Sequence, residues 1–431
     1  MSQVLKPKKG YKSVPWLFGK EIEIPEEWEV KKLNEITNKI GDGIHSTPEY
    51  VEHSEYYFIN GNNLINGKIT YFENTKNVSK EEFLKYELKL NENTILLSIN
   101  GTIGNVAFYN KEKIILGKSA SYIICNDKLN TLFLFYQLQS NLTKKYFSTQ
   151  LTGTTISNLS LSSIRNMIFH LPLFPEQQKI ASILSNINNL IESTRQVIKN
   201  SKSLKTGLVQ KLLTRGISHT KFKKVPWLFG KEIEIPEEWE HSKFNQVVKT
   251  NPLTKIDEDV VPYIPMDAVD TSKDHFNYFE ERKLSDYSSL PKFQENDVLF
   301  ASITPSTENG KTCIIENFAR KGIASSELTV LRSSDNVFPK YLYCYVKSHR
   351  IRQFAISQMM GTTGRQRVPD YVFKKDLYFE LPPLPEQQKI ASILSNIDAQ
   401  IDSQTQYKEK LERLKKSLMQ KLLTGEVRVA I

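Results

Sequence analysis

Between positions 347 and 375 the chain carries Lys347, Arg350, Arg352, Arg365, Arg367, Lys374 and Lys375, with Asp370 the one acid among them. Cations gathered in so short a span suit phosphate contact, and say more than the formal net charge of +10 on the whole chain. The plainer reading is a solvated face. Constellations that could catalyse a reaction are near misses. Gly117-Lys-Ser119 and Gly310-Lys-Thr312 end like phosphate-cradling loops, but the earlier glycine is replaced by Glu112 in one and Pro305 in the other. Asn251-Pro-Leu-Thr254 lacks the second proline and the aromatic of an Asn-Pro-Pro-Tyr site. His45 and His53 lie outside helical ligand spacing, and Glu29-Val-Lys31 becomes Glu240-His-Ser-Lys243 in the second half of the chain. These absences predict a chain with no reaction, metal or cofactor of its own.

The elements that must position the cations are written twice. Pro175-Glu-Gln-Gln-Lys-Ile-Ala-Ser-Ile-Leu-Ser-Asn-Ile187 returns unchanged as 385–397. Proline suits the first turn of a helix, where no N–H is needed, and Glu176 suits the positive end of the helix dipole. Apolar residues then recur at steps of three and four. The first run has Ile180, Ile183, Ile187, Leu190, Val197, Leu204 and Leu208; the second has Ile390, Ile393, Ile397, Ile401, Tyr407, Leu411, Leu414 and Leu418. This is a heptad-like seam, interrupted by the polar Thr194 and Ser201. Both runs close on Gln-Lys-Leu-Leu-Thr, at 210–214 and 420–424, with Gly216 and Gly425 as stops. A helix from 175 to 213 is about 60 Å long and must bury its stripe. The natural cover is the other copy, antiparallel if the halves are related by a pseudo-twofold axis. An ordinary pair of core helices is the alternative.

A second repeat, Val14 to Glu29, recurs unchanged as 225–240. Its prolines and lack of periodicity predict an ordered irregular lead-in, pinned by Trp16 and Trp28 and packed on the helices or on a partner. Residues 30–170 and 241–380 differ in sequence yet run in parallel. Strand candidates fall at 94–99 and 297–303, helix candidates at 132–146 and 341–348, and polar glycine loops at 152–158 and 361–367. Three cysteines without paired spacing argue against a disulfide framework and a zinc site. The start is not of signal type and no apolar run approaches membrane length, so a cytoplasmic protein is predicted. The predicted divisions are a first domain, 1–170, with its lead-in at 14–29, and a spacer helix, 171–215. A second domain, 216–380, follows with its lead-in at 225–240, then a distal helix, 381–425, and a tail, 426–431.

The two Leu-Pro-x-x-Pro-Glu-Gln-Gln-Lys-Ile-Ala helices (171–181 and 381–391) and the two Ile-Pro-Glu-x-Trp segments (24–28 and 235–239) carry a resemblance over essentially the whole chain. Together with the loop Gly41-Asp-Gly-Ile-His-Ser-Thr-Pro48, they resemble the specificity subunit (HsdS) of type I restriction–modification systems. The second block has Asn251-Pro-Leu instead of that loop and resembles a different recognition class. The resemblance implies an α+β fold: two pseudo-symmetric globular target-recognition domains joined by two long helices in an antiparallel coiled coil. It implies that each domain reads one half of a bipartite, asymmetric site in double-stranded DNA and that the coil sets the gap. It also implies partners: two modification subunits, docked on the helices, that methylate adenine N6 with S-adenosylmethionine, and restriction/translocase subunits that use ATP and Mg. This chain would hold none of those cofactors.

On that reading, side chains with paired donors and acceptors read bases. In the second block these are Arg365, Gln366 and Arg367, on a glycine-flanked turn. In the first they are His45, Ser46, Thr47, Asn60, Asn62, Asn63, Thr154, Thr155 and Asn158. Lys144, Lys145, Arg350 and Arg352 suit phosphate, which positions without specifying, and Lys374 and Lys375 join them as DNA-binding candidates. Two other classes compete: a two-headed coiled-coil scaffold for two proteins, and a fused nuclease or methyltransferase, against which the missing motifs argue.

Overall fold

The computed structural model describes residues 8–16, 21–152, 157–362 and 364–430, except for the side chains of Phe229 and Asp376. The chain divides into two compact units, residues 1–195 with 407–431, and residues 196–406. Neither unit is a linear block. Each combines one divergent block with the N-terminal part of the long helix that follows it and the C-terminal part of the other long helix. Those helices are Phe174–Arg215 and Leu384–Leu423.

Each divergent block folds into two small sheets. In the first unit, one sheet runs Val106–Phe108, Thr94–Ser98, Ala120–Cys125, Thr37–Asp42. Every residue of Thr94–Ser98 and Ala120–Cys125 is buried, which is why both stretches carry unbroken apolar centres, Ile95 to Leu97 and Tyr122 to Cys125. The other sheet is Ile114–Leu116, Tyr57–Ile59, Lys76–Val78, Tyr50–Val51, its first pair parallel. The second unit repeats the plan with Val248–Thr250, Leu328–Ser333, Val298–Ala301, Thr312–Ile314, and with Glu280–Lys283, Val260–Ile264, Gly322–Ala324, Lys292–Phe293. The helix predicted over 132–146 is broken into Thr131–Leu138 and Asn141–Gln150, because the Ser140 hydroxyl accepts from Thr143 N (3.2 Å) and starts a new helix.

The lead-ins are β-hairpins rather than irregular segments. Tyr11–Pro15 pairs with Glu21–Pro25, and Phe222–Pro226 with Glu232–Pro236. Their prolines close strands that have only one partner, where a missing N–H costs no ladder bond.

The duplicated motif is a joint inside each unit. Glu176 is fully buried and accepts from Trp28 Nε1 (3.1 Å) and from Arg428 Nε (2.6 Å). Gln177 accepts from Asn130 N (2.9 Å) and donates to Lys128 O (2.9 Å) and Pro172 O (3.0 Å). In the second unit Glu386 accepts from Trp239 Nε1 (3.0 Å), while Gln387 accepts from Phe338 N (2.8 Å) and donates to Asn336 O (2.9 Å) and Pro382 O (2.8 Å). Tryptophan, glutamate and glutamine thus fasten each block to the first turn of its helix.

Within each unit the helix segments run antiparallel. In the first, Ile187 and Ile191 cluster with Leu411, while Lys415 Nζ donates to Asn188 Oδ1 (2.7 Å). In the second, the repeat-equivalent Lys205 pairs with Asp398. The predicted seam needs correction. Ile180, Ile187, Ile390, Ile401 and Leu411 are buried, and Ile183, Leu208, Ile393, Ile397 and Leu418 partly so. Leu190, Val197, Leu204, Tyr407 and Leu414 are exposed. The inward series passes instead through Leu184, Ile191, Thr194 and Ile198. Adjacent apolar pairs (183/184, 190/191, 197/198) allow two heptad stripes, and the second member of each pair turns inward.

Among the described residues no helix is long and apolar enough to cross a membrane, and no group of His, Cys, Asp and Glu could hold a metal ion. Cys125, Cys313 and Cys344 are free thiols, each pushed up to about 12 by burial.

Candidate nucleic-acid interface

In the first unit several loops are tied together at one end of the main sheet. Gly43 N donates to Ala120 O (3.1 Å) and Ile44 N to Leu116 O (2.7 Å). A Cβ on Gly43 would lie 2.0 Å from Leu116 O, so only glycine lets this loop pass so close. The loop presents His45, Ser46 and Thr47, all exposed, with His45 Nε2 2.8 Å from Asp42 Oδ2. The Ser119 hydroxyl donates to Asn60 Oδ1 (2.8 Å) and accepts from Gly61 N (2.9 Å). Ile99 N donates to Ser119 O (2.9 Å), Leu159 N donates to Ile99 O (2.9 Å), and Asn158 bridges Asn100. The structure therefore gathers the His45 loop, Asn60, exposed Asn62 and half-buried Asn158. Thr154 and Thr155 lie outside the described residues. Lys144 and Lys145 are exposed on Asn141–Gln150, with Lys144 lining a shallow cleft beside Ile103 and Gly104.

Asn63 is a correction. It is 4% exposed, its Oδ1 accepts from Asn60 N (3.0 Å), and its Nδ2 donates to Thr70 O (2.9 Å). Its amide is consumed by its own loop. Lys118 was missed by the sequence reading: it is exposed on the turn that carries Ser119. Its signal was the polar Gly-Lys-Ser between two apolar runs, considered above only as a failed phosphate loop.

The second unit builds the same frame. Ser302 N donates to Glu327 O (2.9 Å), Val368 N to Ser302 O (2.9 Å) and Thr304 N to Gln366 O (3.0 Å), while Arg367 bridges Ile303. By this pattern Arg367 occupies the position of Asn158. Arg365 and Arg367 are exposed, Gln366 is half-buried, and Arg367 Nη1 donates to Ser326 O (3.0 Å). Lys374 and Lys375 are exposed close by in sequence, Lys374 paired with Asp370 at 3.1 Å.

The basic cluster does not stay together. Arg350 contacts Glu380 at 2.5 Å and stacks 4.3 Å from the Trp227 ring centroid. Glu380 is fully buried, and burial holds its carboxyl above the ordinary range despite the pull of Arg350. Arg350 is therefore a structural tie to the lead-in hairpin, not a phosphate anchor. Lys347 also turns inward, donating to Tyr343 Oη (2.5 Å), and burial lowers its ammonium. Arg352 is half-buried, its guanidinium against the Gly310 turn.

The model of the type I restriction modification DNA specificity domain matches this chain twice, over residues 25–201 and 236–413. The chain belongs to that family. It is 27% identical to the MjaVIII specificity subunit of Methanocaldococcus jannaschii over 95% of both chains. It is 33% identical to the EcoAI specificity subunit of Escherichia coli over 37% of this chain and 28% of that one. A chain from a structure concerned with assembly and conformational transition of the type I R-M system shares the fold at TM-score 0.56 and 14% identity, covering 94% of this chain and 100% of that one. The S subunit from M. genitalium shares it at TM-score 0.53 and 14% identity, over 92% and 96%. Both family matches run from the end of a lead-in hairpin into a long helix, so they take in the loops described above in each unit.

Proposed function

We propose that this chain is the DNA-addressing subunit of a type I restriction–modification complex, each unit reading one half of a bipartite site. The observation that carries this is the shared frame. Asn158 and Arg367 occupy one position in two folds of the same plan, yet offer different hydrogen-bonding chemistry, an amide suited to adenine and a guanidinium suited to guanine. Two unlike readers on one scaffold suit an asymmetric target. Lys118, Lys144, Lys145, Lys374 and Lys375 supply exposed cations for the phosphate backbone.

The second heptad stripe supports a role for the helices. Val197 and Tyr407 are equivalent in the repeat, as are Leu204 and Leu414, and all four are exposed. An outward apolar stripe that recurs in both repeats suits two copies of one partner, the modification subunits, which bring S-adenosylmethionine and the methyl transfer. ATP-driven steps belong to separate restriction subunits. This chain supplies the address rather than the reaction, and works in the cytoplasm.

Long-read methylation mapping of the native genome, with and without the gene, tests the proposal. Deletion is expected to abolish N6-methyladenine at a split motif. A split motif that persists without the gene overturns it.

A further inference from the structure

We infer that Met360 and Thr152 are specificity-determining residues that face the same groove position in the two half-sites; the inference rests on the DNA-reading function proposed above. Thr152 pairs with Asn158 in the short antiparallel ladder Leu151–Thr152 against Asn158–Leu159. In the second unit Met360 N donates to Arg367 O (2.9 Å) and Arg367 N to Met360 O (2.8 Å). Each pair follows the helix in the same place, Asn141–Gln150 or His349–Ser357. Each pair is then held to the main sheet by the bridge of its second member, to Asn100 or to Ile303. Thr152 and Met360 are thus one position of one frame, each directly across from the candidate reader.

Met360 has no part in the core. It is 61% exposed, whereas its neighbour Met359 packs against the buried cluster. Its sulfur meets the Tyr371 hydroxyl at 3.8 Å, itself an exposed contact. A large apolar side chain held out beside Arg367 gains nothing in water. In a major groove it finds an apolar partner, the C5-methyl of thymine, while the adjacent guanidinium takes guanine O6 and N7. Threonine at the equivalent position presents a hydroxyl as well as a methyl, and so makes a different contact with its base pair. The second half-site is therefore expected to hold a thymine next to the base pair read by Arg367.

The test uses the purified complex of this chain with its modification subunits, and duplexes carrying the methylated motif. Deoxyuridine replaces thymidine at each position in turn, removing only the methyl group. One position of the second half-site is expected to lose about fourfold in affinity, the worth of one buried methyl group. Met360→Ser is expected to abolish that sensitivity and relax this one base pair in the methylome, while the first half-site stays unchanged, which shows that the variant is folded. Thr152→Met is expected to alter only the first half-site. A split motif that is indifferent to deoxyuridine and unchanged by both substitutions overturns this inference and leaves the function standing. A complex that methylates no split motif overturns the function itself, and the inference with it.

Discussion

Arg428 stands three residues from the end of the chain, yet it closes the joint of the first unit. Its Nε and Nη2 donate to the two oxygens of Glu176 (2.6 and 3.0 Å), and Nη2 also reaches Glu27 (2.8 Å). Arg428→Met keeps most of the apolar stem and removes the charge. Glu176 is then a buried carboxylate with Trp28 Nε1 as its remaining side-chain donor. Removing one partner of a buried pair costs about 3–5 kcal/mol when both are dry. Arg428 keeps 33% of its side chain exposed, so water reaches the vacancy and about 2–3 kcal/mol is expected. For a unit of about 220 residues that lowers Tm by about 4–12 °C. Calorimetry of the purified chain reads the loss. Hydrogen exchange locates it, with faster exchange expected in peptides covering 21–33 and 176–187 and no change in 232–244. Glu176→Gln removes the buried charge, so in that background the same substitution is expected to cost at least about 1 kcal/mol less. Unchanged melting and exchange for Arg428→Met, with an additive double-mutant cycle, would refute the reasoning.

Four further outcomes are expected. Burial lowers the His170 imidazole from 6.5 to about 4, so the unfolded chain binds a proton before the folded one does. Stability is therefore lost as pH falls from about 6.5 to about 4, by at most about 3 kcal/mol, and His170→Phe should flatten that window in a pH series of urea unfolding. Leu184→Ala, at a fully buried position, should cost about 2–5 kcal/mol by thermal or urea unfolding. Val197→Asp with Tyr407→Asp should leave Tm nearly unchanged while weakening capture of the modification subunits by roughly tenfold or more in a pull-down titration. Lys144→Ala and Lys374→Ala should each reduce the log–log salt slope of DNA binding by about 0.9, whereas Arg350→Ala should lower Tm and leave the slope alone.

The long helices were legible because a proline start, apolar residues at steps of three and four, and a glycine stop agree, even with Thr194 and Ser201 as polar breaks in the first run. The stretch 94–98 was legible because Ile95, Leu96 and Leu97 run together and a tight-turn Asn100-Gly101 follows. What stayed hidden depends on distance in space. At the first apolar pair Ile183 and Leu184 are equally hydrophobic, and only the block and the helix packed around them decide which turns inward. Arg350 and Lys374 look alike in sequence, and only Glu380 and Trp227, folded against Arg350, separate a buried tie from an exposed cation. Asn63 looked like a reader because its neighbours were plausible readers. Its amide is taken by Asn60 N and Thr70 O, which sequence spacing alone does not reveal.

The internal repeat also divides the residues by task. Identity between the halves suggests a surface shared with one partner. Yet Trp28 and Trp239, Glu176 and Glu386, and Gln177 and Gln387 are buried or hydrogen-bonded inside their own units. Their identity is demanded by the joint, since each must satisfy a fixed set of donors and acceptors largely withdrawn from water. The outward stripe is looser: Val197 answers to Tyr407, because an apolar contact asks for hydrophobic area and not for a particular hydrogen bond. At the proposed reading edge the frame is kept and the residues change, with Asn158 answering to Arg367 and Thr152 to Met360. A position whose backbone is held while its side chain varies is where two different base sequences can be read without rebuilding the fold.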